Sequence, residues 1–188
     1  MKTLGILVML IGVVAVGLGA YFYSGSYPIG ADAPGSRVLF RALQKIRART
    51  IAVQASAIRP PADLSDPARI PIGAGHYAAM CSVCHLAPGY PQDETAEGLD
   101  PRPPQLARGI SLTPAQIFWV LKHGLRMTGM PAWGSTHSNE ELWDLTAFVL
   151  RLPHLTAQQY RQIVTQAPMD ADMKSLPMPA GAAGPADH

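Results

Sequence analysis

The chain has 188 residues, a length typical of one domain with appended segments. Its 15 basic and 13 acidic side chains give a formal charge of +2, which excludes a strongly basic nucleic-acid-binding protein. Only two cysteines are present, and this number excludes a disulfide-rich scaffold and a zinc site built from four cysteines. We therefore expect no nucleic acid among the partners of this protein.

The N-terminus carries a run of 20 uncharged residues from Leu4 to Tyr23. A helix of that length is about 30 Å long, which matches the hydrocarbon core of a bilayer. The run is either a removed signal peptide or an uncleaved anchor, and the rest of the chain is exported in both cases. Cleavage after Gly19 would have small residues at Gly17 and Gly19, but cleavage after Ala20 would place Leu18 where a small residue is needed. Because the run is long enough to span a bilayer, we favour an anchor that comprises residues 1–23 and contacts lipid through residues 4–23.

Residues 24–72 are predicted to be a linker that contains a basic amphipathic helix. The first part, residues 24–35, is rich in Gly, Pro and Ser, and apolar residues then recur at helical spacing from Ser36 to Ile58. Six basic side chains and no acidic one lie within residues 37–59. This pattern fits a helix that contacts lipid or a partner protein, and it fits equally a solvated helix face packed on its own domain.

Three capping signals predict three helices in the second half of the chain. The first helix is expected to end at Gly124 and the second at Pro153, and no alternating strand pattern competes, so the predicted class is all-α. The tail of residues 167–188 is rich in Ala, Gly and Pro and is predicted to be disordered. The capping pairs are Thr113 with Gln116, Ser138 with Glu141, and Thr156 with Gln159.

The two cysteines belong to a Cys-x-x-Cys-His motif formed by Cys81, Cys84 and His85. Two thiols at this spacing can add to the two vinyl groups of a haem, and the adjacent histidine then becomes the proximal iron ligand. A thioredoxin-like redox pair would need a βαβ context, which the sequence lacks. A zinc site would need two more ligands, which would have to be histidines because the chain has no second cysteine pair. The motif therefore favours one covalently attached haem c.

A second axial ligand is expected from a distant segment. Residues 124–134 contain Met127 and Met130 in a glycine-flanked loop after a predicted helix, where a thioether can be directed at a flat cofactor. A methionine in a helix is more often core packing, but Pro131 and the glycines argue against a helix here. The residues alone leave both methionines open as the ligand.

The chain resembles a class I cytochrome c from Gly73 to Pro153. In that family a glycine eight residues before the first haem cysteine and an aromatic four residues before it let the first helix cross the last one closely. Gly73 and Tyr77 occupy these positions, and the resemblance implies that Phe148 completes the crossing. It also implies an all-α cytochrome c fold of three to five helices around a covalent haem, here preceded by a transmembrane helix.

The resemblance implies several of the haem contacts. A Met-Pro-Ala sequence carries the distal ligand in many members, which selects Met130. A Pro-x-Leu sequence implies that the Pro104 carbonyl accepts from the proximal histidine and that Leu106 forms an apolar wall, although Pro103 or Pro88 could replace Pro104. Trp133 is a further candidate for the apolar wall. The haem domain is predicted over residues 73–166, including an added C-terminal helix.

These features predict a monohaem electron carrier without substrate chemistry of its own. It would be tethered to a bacterial inner membrane with the haem domain in the periplasm, and it would pass single electrons between respiratory or dehydrogenase partners. No small-molecule substrate is expected. Two alternatives remain, an integral cytochrome c subunit of a larger membrane oxidoreductase and a five-coordinate haem sensor or peroxidase.

Overall fold

The computed structural model describes residues 2–33, 35–90 and 93–168, and within these ranges the regular structure is helical without a strand. The all-α prediction is confirmed, whereas the predicted disordered tail lies almost wholly outside the described residues. The helices are α1 (Lys2–Tyr23), α2 (Arg37–Gln54), α3 (Arg69–His76), α4 (Ser82–His85), α5 (Glu94–Glu97), α6 (Pro114–His123), α7 (Asn139–Arg151) and α8 (Ala157–Thr165). A π turn spans Tyr77–Cys81, and 3₁₀ turns span Leu106–Arg108, Trp133–Ser135 and Leu152–His154.

The chain divides into two compact units, residues 1–42 and 43–188. The first unit contains α1, a 22-residue helix that is exposed and carries no charged residue after Lys2. Its length and composition suffice to cross a membrane, and a signal sequence near an N-terminus has the same properties. Helix α2 begins in the first unit and continues into the second.

The three capping signals mark the starts of α6, α7 and α8, so these predictions are confirmed. At each start the hydroxyl oxygen of the capping residue accepts from the backbone N–H three residues later. The Gln or Glu side chain at that later position accepts from the N–H of the capping residue in return. These reciprocal bonds satisfy backbone donors that a helix start otherwise leaves without a partner.

The second unit is organised by the close crossing of α3 and α7. A Cβ atom on Gly73 would overlap the carbonyl oxygen of Asp144 and would lie 2.8 Å from Cβ of Phe148. One turn later the rings of Tyr77 and Phe148 pack with their centroids 5.4 Å apart. The predicted crossing through Gly73, Tyr77 and Phe148 is therefore confirmed, and glycine is needed because the two backbones leave no space for a side chain.

Helices α6 and α8 complete the core around this crossing. Phe118 of α6 stacks on Trp143 of α7 with ring centroids 4.1 Å apart and an interplanar angle of 15°. Tyr160 of α8 is fully buried, and its ring lies 6.4 Å from that of Tyr77 and 6.2 Å from that of Phe148. The added C-terminal helix therefore contributes a large side chain to the same core.

A buried arginine joins the two crossing helices. Arg69 at the start of α3 contacts Asp144 of α7 at 2.5 Å, and its other terminal nitrogen contacts Asp63 at 2.8 Å and Glu140 at 3.1 Å. Arg69 and Asp144 are both buried, and a charged pair persists in that setting only when each partner is compensated. No local sequence pattern predicts this cluster, because Arg69 and Asp144 are 75 positions apart in the chain.

Candidate functional site

The two cysteines lie at the junction of the π turn and α4. Cys81 is buried, Cys84 is half-buried, and both are free thiols. Burial raises the pKa of the Cys81 thiol to about 12, and burial together with the charge of Asp93 raises the pKa of the Cys84 thiol. Both side chains are therefore protonated thiols at neutral pH, placed three residues apart on one short helical segment.

His85 is oriented by a backbone oxygen. Its Nδ1 lies 2.8 Å from the carbonyl oxygen of Pro104. Because a carbonyl oxygen can only accept, Nδ1 carries the hydrogen and Nε2 keeps its lone pair in the neutral ring. Burial lowers the pKa of His85 despite the opposing effect of the Pro104 hydrogen bond, so the imidazole is neutral at neutral pH. The ring is therefore presented as a metal ligand through Nε2.

The chain direction changes directly after His85. Leu86 has a φ of 58°, and its carbonyl oxygen accepts a hydrogen bond from the Tyr77 hydroxyl at 2.5 Å. Tyr77 is itself fixed in the core by Phe148. The histidine end of the motif is therefore held by the same helix crossing that forms the core.

Met130 comes from the loop between α6 and α7. The Leu125 N–H donates to the Met130 carbonyl oxygen at 3.1 Å, which closes the loop. The Thr128 hydroxyl donates to the Leu125 carbonyl oxygen at 2.7 Å and accepts from the Met130 N–H at 3.1 Å. Gly124 enters the loop with a φ of 63°, and a Cβ there would lie 2.7 to 2.8 Å from backbone atoms of residues 130–132. Gly124 and the Thr128 hydroxyl therefore both help to hold the loop in this conformation.

The structure separates the two methionines that the sequence left open. Met127 has a φ of 57° and is 81% exposed, whereas Met130 is partly buried and packs against the core. Leu106 lies in that core cluster together with Cys81, and Trp133 packs against it. The structure thus brings Cys81, Leu106, Met130 and Trp133 to one core and leaves Met127 at the surface.

The segment after the motif contains the short acidic helix α5. The Asp93 side chain accepts from the Thr95 N–H and begins α5. Beyond α5, Leu99 reaches the methionine loop, since a Cβ on Gly129 would lie 2.8 Å from Cδ2 of Leu99. This acidic segment therefore covers part of the loop that carries Met130.

Two histidines outside the motif also lie near this region. His76 is buried, and its ring centroid lies 5.4 Å from that of His137. The ring of His137 in turn lies 5.5 Å from that of Trp133. No local sequence pattern indicates that α3 and the segment before α7 meet there.

The side chains present fit a covalently attached haem c. Two free thiols at Cys-x-x-Cys spacing supply the thioether atoms, and the imidazole whose Nδ1 is already bonded to a carbonyl offers Nε2 to iron. Leu106 and Trp133 supply apolar surface, and Met130 supplies a thioether. In the described ranges no group of three or more His, Cys, Asp or Glu residues is placed to hold a metal ion by itself.

One comparison with known proteins identifies the type of domain that carries the Cys-x-x-Cys-His motif. Residues 68–149 match the family model described as "Cytochrome C oxidase, cbb3-type, subunit III". No curated protein and no solved structure matches the chain significantly. The matched region runs from just before α3 into α7 and includes the Cys-x-x-Cys-His motif and the methionine loop. The region matched by the family model is therefore a c-type cytochrome domain with the cytochrome c fold, and the group that it implies is haem c.

Proposed function

We propose that this protein is a membrane-anchored monohaem cytochrome that transfers single electrons, with His85 and Met130 as axial ligands. The observation that carries the proposal is the orientation of His85, whose Nδ1 is bonded to Pro104 while the two free thiols lie on the same helical segment. A bound haem c supplies an iron that cycles between the ferrous and ferric states. The remaining residues explain how the chain would support that cycle.

Pro104 holds the His85 ring in one orientation. The carbonyl oxygen accepts from Nδ1–H, which increases the electron density that Nε2 can donate. The neighbouring Leu106 is buried, so its apolar side chain excludes water from this side of the site. A fixed imidazole in a dry environment changes little between oxidation states, which keeps the reorganisation needed for electron transfer small.

Met130 is the proposed second axial ligand. A thioether is a soft ligand and favours ferrous iron, so it raises the reduction potential relative to a second histidine. The partial burial of Met130 and the exposure of Met127 support this assignment. Trp133, three residues further on, packs on the core and is proposed to shield this side from water.

Two axial ligands from the protein distinguish a carrier from an enzyme. If His85 and Met130 both held the iron of a bound haem c, no coordination site would be left for a substrate or a gas molecule. We therefore propose that the protein has no small-molecule substrate and exchanges electrons with a donor protein and an acceptor protein. A five-coordinate sensor or peroxidase would require that Met130 is not a ligand.

The proposed location is the bacterial inner membrane, with the haem domain in the periplasm. Helix α1 is long and apolar enough to serve as the anchor, and residues 4–23 would contact lipid. We further propose that the haem domain covers residues 73–166, because Tyr160 of α8 lies in the same core as Tyr77. Residues 24–72 then connect the anchor to the haem domain.

A spectroscopic comparison of two methionine variants tests the proposal. The reduced full-length protein is expected to have the sharp α-band of a c-type haem, and the oxidised protein is expected to have the methionine–iron charge-transfer band. Met130→Ala should lose the charge-transfer band and gain carbon monoxide binding, while the control Met127→Ala should keep the wild-type spectrum. A wild-type protein without the α-band, or one that already binds carbon monoxide readily, would contradict the proposal.

A second candidate function is supported by the family match. The matched family is described as a subunit of a cbb3-type cytochrome c oxidase, so this chain is also a candidate for a permanent electron-entry subunit of a membrane oxidoreductase. Gentle solubilisation followed by native electrophoresis with haem staining separates the two functions. Migration of the chain in a stable larger complex favours the subunit, and migration of the chain alone favours the carrier.

A further inference from the structure

Helix α2 presents an apolar side that the fold does not cover. Ile51 and Ala55 are buried, so the side of the helix on which they lie packs within the structure. Ile46 and Val53 lie on a different side and remain 62% and 50% exposed. Leu39 precedes Ile46 by seven residues and is 48% exposed. Since seven residues complete almost two turns, these side chains form one exposed apolar stripe, Leu39, Ile46 and Val53.

Basic side chains form a second stripe beside the first. Arg37, Arg41, Lys45 and Arg49 recur every four residues, so they follow one side of the helix. Residues 37–59 contain six basic and no acidic side chains. Every ion pair within the described ranges involves Arg69, so none of the carboxylates described there pairs with the basic stripe of α2.

The position of α2 in the chain indicates which partner it meets. Only 13 residues, 24–36, separate the end of α1 from the start of α2. Even fully extended, this segment reaches roughly 45 Å, so an anchored α1 keeps α2 at high local concentration near the bilayer surface. Basic residues next to a stripe of aliphatic side chains are typical of helices that lie in the interface of an anionic membrane.

We propose that α2 lies on the membrane surface. The basic stripe contacts the headgroups of anionic phospholipids, and Leu39, Ile46 and Val53 enter the boundary between headgroups and acyl chains. The opposite side of the helix, through Ile51 and Ala55, remains packed in the fold. The helix therefore attaches the haem-bearing unit to the bilayer directly, in addition to the tether through α1. This inference goes beyond electron transfer and does not depend on the identity of the axial ligands.

A single introduced cysteine allows a direct test in the full-length holoprotein. In the holoprotein the two thioether bonds would occupy Cys81 and Cys84, so a spin label would attach only at Ile46→Cys or, as the matched control, at Ala48→Cys. Ala48 is also exposed but lies two residues further, on almost the opposite side of the helix. The protein is reconstituted into vesicles of phosphatidylcholine alone or of phosphatidylcholine with phosphatidylglycerol.

The expected result depends on lipid charge and on the side of the helix. In vesicles with phosphatidylglycerol, the ratio of oxygen to nickel-chelate accessibility at the Ile46→Cys label should rise about threefold over the value in neutral vesicles. The label at Ala48→Cys should change little. Equal accessibility at both positions in both lipids would overturn the proposal. Protection of the Ile46→Cys label only in native membranes, and never in pure lipid, would assign α2 to a protein partner and would overturn it as well.

Charge variants provide the second arm of the experiment. The triple change Arg41→Gln, Lys45→Gln and Arg49→Gln should abolish the response to phosphatidylglycerol, because glutamine preserves helix propensity and removes the charge. Removal of three exposed charges elsewhere, by Arg102→Gln, Arg108→Gln and Arg126→Gln, should leave the response unchanged. Co-flotation with neutral vesicles shows whether α1 has inserted, and the α-band shows whether haem is attached. A protein without an anchor or without haem is therefore distinguished from one whose α2 does not bind the membrane surface.

Discussion

The His85 side and the Met130 side of the site are held by different means. His85 follows a helical segment that crosses α7 in the core, and its ring is fixed by Pro104. Met130 lies in a loop that is held by one backbone hydrogen bond, one threonine hydroxyl and a glycine. The histidine is therefore fixed by the fold as a whole, whereas the methionine is fixed locally. We expect substitutions on the first side to cost stability and substitutions on the second side to cost ligation first.

The largest effect is expected at the helix crossing. Gly73→Ala places a Cβ against the Asp144 carbonyl oxygen, so the helices must separate, and the free energy of unfolding should fall by about 3 kcal/mol. Chemical denaturation of the holoprotein measures this change. At Gly98→Ala the nearest atom to the new Cβ is 3.5 Å away and φ is negative, so a change within about 0.5 kcal/mol is expected. Equal effects of both variants would mean that the close crossing does not support the histidine side.

A smaller loss of stability with a larger spectral effect is expected at Gly124. Gly124→Ala combines a positive φ with a contact of 2.7 Å to backbone atoms of the loop, so the loop should move and the methionine–iron band should disappear. The stability loss should be about 2 kcal/mol. Gly109→Ala is the matched control, because its φ is also positive but the nearest atom lies 3.8 Å away. A retained band in Gly124→Ala would show that the loop adapts without moving Met130.

The loop hydroxyl tests the same side more gently. Thr128→Val removes the bonds to the Leu125 carbonyl oxygen and the Met130 N–H, and a net loss of about 1 kcal/mol is expected. If Met130 is the second axial ligand, as proposed, carbon monoxide binding by the reduced protein should become measurable, because the Met130 thioether would dissociate from iron more often. Thr165→Val also removes a hydroxyl that donates to backbone carbonyls, but in α8, and should not change carbon monoxide binding. Wild-type stability and carbon monoxide binding in Thr128→Val would show that this hydroxyl does not hold the loop that carries Met130.

The smallest effect concerns acid stability at the start of α7, where the methionine loop ends. Hydrogen bonds from the Ser138 hydroxyl and N–H lower the pKa of Glu141 below its ordinary value of 4.5. The charged form therefore stabilises the fold above pH 4.5, and this contribution is lost as the pH falls through the lowered value.

Glu141→Gln keeps an acceptor for the Ser138 N–H and removes the charge. On acidification below pH 4.5, the unfolding free energy should fall less in Glu141→Gln than in the wild type, by a difference of about 0.5 kcal/mol or less. Denaturation curves at a series of pH values measure this difference, with Glu97→Gln as a substitution at an exposed acid outside the capping box. An unchanged pH dependence in Glu141→Gln would assign the acid sensitivity to other groups.

Features that depend on neighbouring residues in sequence were predictable. The capping boxes at Thr113, Ser138 and Thr156 need only two side chains three positions apart, and each begins a helix as predicted. The helix crossing was also predictable, but only through the family resemblance, because no local pattern places Gly73 on Asp144.

Features that depend on the tertiary environment were not predictable. The burial of Arg69 depends on Asp144, a residue 75 positions away, and the sequence offers only an ordinary arginine before an apolar segment. The two methionines differ in exposure, and the loop between α6 and α7 is held by hydrogen bonds of Thr128 that composition does not reveal. The assignment of Met130 as a ligand stays a prediction, since it is the spectrum that decides it.

The π turn Tyr77–Cys81 has a geometric consequence for the attachment of the cofactor. Gly73, Tyr77, Cys81 and His85 are spaced by four residues, and in an uninterrupted α-helix each step would advance the side chain by about 40° around the axis. Because a π turn rotates less per residue, it offsets this angular drift between Tyr77 and Cys81. A single-residue deletion within the turn would therefore rotate the Cys-x-x-Cys-His motif around the helix axis relative to the crossing at Gly73. The residues of the motif and of the crossing would themselves be unchanged.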